Sequence, residues 1–166
     1  MRLVTRAGWR ARPPTAQTSR SLAEVVGVCY HHDTGPQPSL LRPGASLVRH
    51  DQAYHMDARG YSDLAYNAMI GPGGKIYEGR SIHVLGAHSG GTYRGESANA
   101  TLLGICFIGN YDTAELSEKA KQSALLLEYL WALKVGRRLE VVTHQETKAT
   151  ACPGGSVQRW VDGRRR

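Results

Sequence analysis

Two apolar runs far apart in the chain both end in histidine, and this restricts the possible folds more than any other feature. Val25 to Tyr30 is rich in β-branched and apolar residues and runs into His31 and His32; Leu139 to Thr143 runs likewise into His144. Each reads as a strand, and a strand end fixes the direction of a side chain while the loop beyond leaves room for a ligand. Cys152 follows in a His-x7-Cys-Pro spacing. Two imidazoles and one thiolate would leave a tetrahedral zinc with one free corner, the ligand count of a catalytic site rather than a structural one. No CxxC pair supplies a fourth ligand. The residues therefore point to a zinc hydrolase, with water activated at the metal. Taken singly, each histidine is more often a hydrogen-bonded core or surface residue; the conjunction carries the reading. Neighbouring strand residues face opposite ways, so only one of His31 and His32 serves a given face.

The intervening chain alternates strands with helices. Pro36, Pro38, Pro43 and Gly44 enforce a loop, and Ser46 is placed to cap a short helix through about Met56. Tyr66 to Ile70 and Lys75 to Glu78 flank Gly71-Pro72-Gly73-Gly74, a hairpin signal with a long glycine-rich turn. Leu102 to Ile108 reads as a central strand. Ser117 is an N-cap candidate for the clearest helix, in which Ala120, Ala124, Leu127 and Trp131 share a face. Gly136 is placed to stop it, with Lys134, Arg137 and Arg138 at its negative end. A last helix is expected near Ser156, carrying Trp160. The hairpin makes the sheet mixed, so the fold class is α/β: a single domain over residues 1–166, with a mixed central sheet flanked by helices.

Composition removes several classes. At 166 residues the chain can bury one adequate core. No stretch approaches the roughly 18 apolar residues of a membrane span, so membrane insertion is not expected. Cys29, Cys106 and Cys152 do not make a disulfide framework; the first two sit in apolar runs and read as buried hydrophobes. The formal charge of +7 gathers partly at the ends, in Arg2, Arg6, Arg10 and Arg12 and in Arg159 and Arg164-Arg165-Arg166. Such charge suits a polyanionic surface (nucleic acid, anionic lipid or a teichoic acid-bearing wall) or is a solvated tail without a partner. MRLVTRAGWRARPP is basic without an apolar h-region, from which synthesis in the cytoplasm, or excision from a longer chain, is expected.

Several motifs in order resemble the type 2 N-acetylmuramoyl-L-alanine amidases, a family that includes bacteriophage T7 lysozyme and the peptidoglycan recognition proteins. They are VTRAGWRARPP (Val4 to Pro14), YHMDARGYSDLAYNAMIGPGGKIYEGR (Tyr54 to Arg80), GAHSGG, LGICFIGNYD and THQETKATACPG, and they span nearly the whole chain. The resemblance implies zinc ligands at His31, His144 and Cys152, with His32 supporting the sheet from the other face. It implies that Tyr66 stabilises a developing oxyanion or orients the attacking water, although β-propensity alone would explain a strand tyrosine there. Thr150 matches a polar site residue of the recognition proteins; Lys148 is out of register with the lysine of T7 lysozyme. His88 is implied in the substrate groove, with a plain loop histidine as the alternative, and Asn99 is a weaker groove candidate. The family usually reads His-His-Thr, whereas Asp33 here precedes Thr34. That residue would either shift the loop or accept a hydrogen bond from a ligand imidazole.

The implied activity is zinc-dependent hydrolysis of the amide between N-acetylmuramic acid and L-alanine in bacterial peptidoglycan. The partners expected are peptidoglycan and an anionic wall surface, with no nucleic acid, for a monomer acting on the wall after release. A recognition module that binds without cleaving is the alternative, as is a bacterial autolysin or recycling amidase. Non-catalytic relatives generally lack the metal-binding cysteine, which this chain keeps. The lack of extra disulfide-forming cysteines points to a phage or bacterial setting.

Overall fold

The stretches Gly27–His32 (β2) and Leu102–Phe107 (β7) are buried at every residue, as parallel strands covered on both faces must be. The computed structural model describes residues 2–165. Around these two strands lie β1 (Arg2–Val4), β3 (Ala68–Ile70), β4 (Lys75–Glu78) and β8 (Glu140–Thr143). Together they form a six-stranded sheet in the order β1-β4-β3-β7-β2-β8. Only β3 and β4 pair antiparallel, so the sheet is mixed because of the hairpin read from the glycine-rich turn. A separate two-stranded ribbon, β5 (Thr92–Tyr93) and β6 (Glu96–Ser97), leads into the one-turn helix α2 (Ala98–Thr101).

Helices cover both faces. On one, Val28 and Tyr30 of β2 and Leu103, Ile105 and Phe107 of β7 pack on α3 (Glu118–Val135) and α4 (Gly155–Gly163). Ala120, Ala124, Leu127 and Trp131 form the buried stripe of α3, the spacing the sequence predicts. Ser117 Oγ accepts from Ala120 N at 3.1 Å, and Gly136 closes the helix in the left-handed region at φ 79°. On the other face Met69, Cys106 and Ile108 meet Trp9, Leu64 and Val48, the last from α1 (Gly44–Ala53).

Three local expectations need correction. Helix α1 begins before Ser46, at Gly44 after Pro43, and Gly44 lies against the Tyr77 ring, where a Cβ would sit 2.3 Å from the Tyr77 hydroxyl. A single π turn, Tyr54–Ala58, then carries it past Met56. The N-terminal arginines are not a free tail, since Arg2–Val4 pairs in parallel with Lys75–Tyr77 and Trp9 is fully buried. No helix among the described residues is long and apolar enough to cross a membrane.

Candidate metal centre

Register assembles the site. Gly27 pairs with Glu140 and Tyr30 with Thr143, so the next residue on each strand is a histidine, and the rings of His31 and His144 lie 4.5 Å apart. Alternation sends His31 to the same face as Cys29 and His32 to the other, where His32 Nδ1 accepts from Tyr111 N at 3.2 Å. His144 opens a 3-10 turn held by a capping box: the Glu146 carboxylate accepts from Thr143 N at 2.7 Å and from its hydroxyl at 2.8 Å. Arg165 in turn holds Glu146. Cys152 arrives from the following loop, its N–H donating to Thr150 Oγ1 at 3.2 Å and its sulfur accepting from His32 N at 3.4 Å.

One ligand atom each from His31, His144 and Cys152 can be chosen so that all three lie within 4.8 Å of one another. His31 Nδ1 is 3.7 Å from Cys152 Sγ. A tetrahedral zinc with ordinary Zn–N and Zn–S bonds separates such a pair by about 3.5 Å. Both ring nitrogens of His144 are buried with no hydrogen-bond partner among the described residues, as suits an imidazole meant to ligate a metal. The residues fit the ion.

Electrostatics agree with that fit. Burial holds His31 well below its ordinary pKa, and burial, with Lys148 nearby, takes His144 down to about 4. Both imidazoles are therefore neutral, the form that donates a lone pair. Burial pushes the Cys152 thiol up to about 12, so it keeps its proton until a cation displaces it.

Tyr66, half-buried just before β3, places its ring 5.4 Å from that of His31 and 5.6 Å from that of His55. Burial, and then Cys106 beside it, holds the phenol well above its usual pKa, so it remains a proton donor. Thr150 is exposed and linked to the site through the Cys152 backbone. His88 is 6% exposed and lies behind His31 rather than on an open wall. Its Nδ1 is 3.0 Å from His31 Nε2, and its Nε2 is 3.2 Å from the Leu102 carbonyl. Burial takes it down to about 3. Asn99 Oδ1 accepts from Ser89 N at 2.8 Å, pinning the loop that follows His88.

Asp33 does not serve a ligand imidazole. Its Oδ1 accepts instead from Gly35 N at 2.9 Å and Gly109 N at 2.7 Å, which ties the loop after β2 to the one after β7. Sequence reasoning also missed a second cluster: Cys29, His31 and His88 bring ligand atoms within 4.8 Å of one another. The strand period of two gives the signal, since Cys29 and His31 share a face. Both nitrogens of His88 are already engaged, whereas those of His144 have no hydrogen-bond partner among the described residues, so the outer trio is the freer of the two sets to take an ion.

A mixed sheet brings two histidines and a cysteine together at its rim, and comparison with known proteins identifies the family of the chain. The family model for N-acetylmuramoyl-L-alanine amidase matches residues 21–155, and the chain belongs to that family. Peptidoglycan-recognition protein SC2 of Drosophila simulans is 32% identical over 158 residues, covering 93% of this chain and 82% of the relative. The solved structure of Drosophila PGRP-LB superposes with a TM-score of 0.86 at 27% identity, covering 97% of this chain and 92% of that one. Peptidoglycan recognition protein-LE, solved in complex with tracheal cytotoxin, a monomeric diaminopimelic acid-type peptidoglycan, gives 0.80 at 27%, covering 92% and 87%.

These relatives correct the expectation of cytoplasmic synthesis, which rested on the missing apolar h-region in MRLVTRAGWRARPP: they are recognition proteins of an animal. The physical reason for the error is that Arg2–Val4 and Trp9 belong to the folded domain. A stretch built into the sheet and core carries no information about targeting.

Proposed function

We propose that this chain is a zinc-dependent amidase that cleaves the bond between N-acetylmuramic acid and L-alanine in peptidoglycan. The observation that carries the reading is the trio of His31, His144 and Cys152 with His144 left unpartnered. Zinc held there would supply Lewis acidity to the scissile carbonyl and to water. The chain's own residues do the rest. His31 and His144 stand ready as neutral donors, and Cys152 gives up its proton on ligation. Tyr66 keeps its phenolic proton and donates a hydrogen bond to the oxygen that gains charge as the amide carbon becomes tetrahedral. Thr150 supports that oxygen from beside Cys152, and Asn99 shapes the groove wall by fixing the Ser89 loop. The peptidoglycan fragment in the recognition protein-LE complex supports the substrate class.

The test is digestion of purified peptidoglycan followed by mass spectrometry, with metal-loaded protein, chelated protein and Cys152→Ala. Free stem peptides from the loaded protein alone are expected. Binding without cleavage in all three would make the chain a recognition module instead.

A further inference from the structure

We propose that His88 is a positioning residue for the metal centre: it fixes the tautomer of His31 and turns His31 Nδ1 toward Cys152 and His144. This rests on the zinc reading above and concerns how the ligand is held.

The proton positions follow by elimination. The Leu102 carbonyl offers only lone pairs, so His88 Nε2, 3.2 Å away, must carry the hydrogen and donate. Arg20 Nη1 donates to the same carbonyl at 3.0 Å, which fixes that carbonyl in place. His88 Nδ1 is then a bare acceptor. His31 Nε2, 3.0 Å from it, must be the donor, which leaves the His31 lone pair on Nδ1. That is the nitrogen 3.7 Å from Cys152 Sγ. A chain of two hydrogen bonds thus runs from the β7 backbone to the ligand and sets which nitrogen faces the ion.

The seat for His88 is built by omission of side chains. A Cβ on Gly104 of β7 would lie 2.6 Å from the His88 ring and 3.0 Å from its Cβ, and one on Gly86 would lie 2.5 Å from Cδ2. Neither glycine has a positive φ, so space for the imidazole, not backbone conformation, is what these glycines provide.

Zinc affinity, measured by chelator competition on folded protein, tests the role. His88→Leu removes the acceptor and is expected to weaken binding by about 10–100-fold. His88→Asn, whose Oδ1 falls near the place of Nδ1, is expected to recover most of that loss. Gly104→Ala, which touches no ligand, is expected to weaken binding as well. With cobalt(II) in place of zinc, the thiolate charge-transfer band is expected to persist in wild type and His88→Asn and to shift in His88→Leu. Wild-type affinity in His88→Leu overturns the proposal, as does an equal loss in the Leu and Asn variants. If His88→Leu does not fold, wild-type affinity in Gly104→Ala overturns it. Loss of binding in Cys29→Ala but not in Cys152→Ala would seat the metal on the inner trio and overturn it also. A wild type that binds no zinc removes the metal reading itself, a failure distinct from these.

Discussion

Asp51 shows how a single residue can tie stability to pH. It faces Asp33, whose carboxyl burial also pushes up but whose Oδ1 accepts from two backbone N–H groups that favour its charged form. Burial first, and then that neighbouring charge, push the Asp51 carboxyl from 3.8 up to about 8, and its Oδ2 is buried without a partner among the described residues. The folded protein therefore keeps a proton that the unfolded chain releases near pH 4. Stability is full below that pH and falls as pH rises toward 8. Asp51→Asn, which cannot ionise, is expected to gain on the wild type between pH 5 and pH 8.5 by about 1–2 kcal/mol, a few degrees in Tm. A Tm difference that stays flat with pH would rule out the shared proton. The sequence marks Asp33 as an insertion but does not reveal its partner, because a residue on a helix 18 positions later meets it only through the tertiary fold. His31 could be chosen over His32 from the family motif; the alternation of β2 is the physical reason it faces the other ligands.

Among the elements, β2 matters most, being clamped between β7 and β8. Gly27 starts it against Glu140, and an added Cβ would lie 2.5 Å from the Glu140 carbonyl oxygen. Gly27→Ala is expected to part the two strands at that end and cost about 1–3 kcal/mol in urea unfolding. It is also expected to weaken zinc binding, since His31 and His144 lie equally far along their strands from that contact. Wild-type stability and affinity in this variant would show that the register tolerates the push. Helix α3, its caps, the β3–β4 hairpin and strands β2, β7 and β8 were all legible, because each leaves a local period or a turn signal. The pairing of β1 with β4 and the short β5–β6 ribbon were not. Strands of two or three residues have no period to detect; β3 is as short but borders the glycine-rich turn, and which strands pair is a non-local choice.

For the whole molecule, net charge of +7 understates how much of the basic charge is spent internally. Arg6 bridges to Asp63, Arg12 to Asp57, Arg159 to Glu115, Arg164 to Glu128 and Arg165 to Glu146. Arg166, read with the same basic end, lies outside the described residues. Most of the described terminal arginines are thus paired with carboxylates, and any attraction to an anionic wall would come from the excess charge of the whole surface. Lysis of intact cells is expected to fall as salt is raised from about 50 to 300 mM, while cleavage of small soluble muropeptides barely changes. Equal sensitivity in both assays would remove wall attraction from the account.

The two ends of the ligand set belong to distant parts of the chain, His31 and Cys152 being 121 positions apart. An ion shared between them would bridge that span and, by binding the folded site alone, favour the state in which the two segments are together. The strand it fastens is β8, which lies at the open edge of the sheet. Metal held at the rim would thus also act as a clasp on the seam between the early and late halves of the chain: fraying of the edge would release the ion, and loss of the ion would loosen the edge.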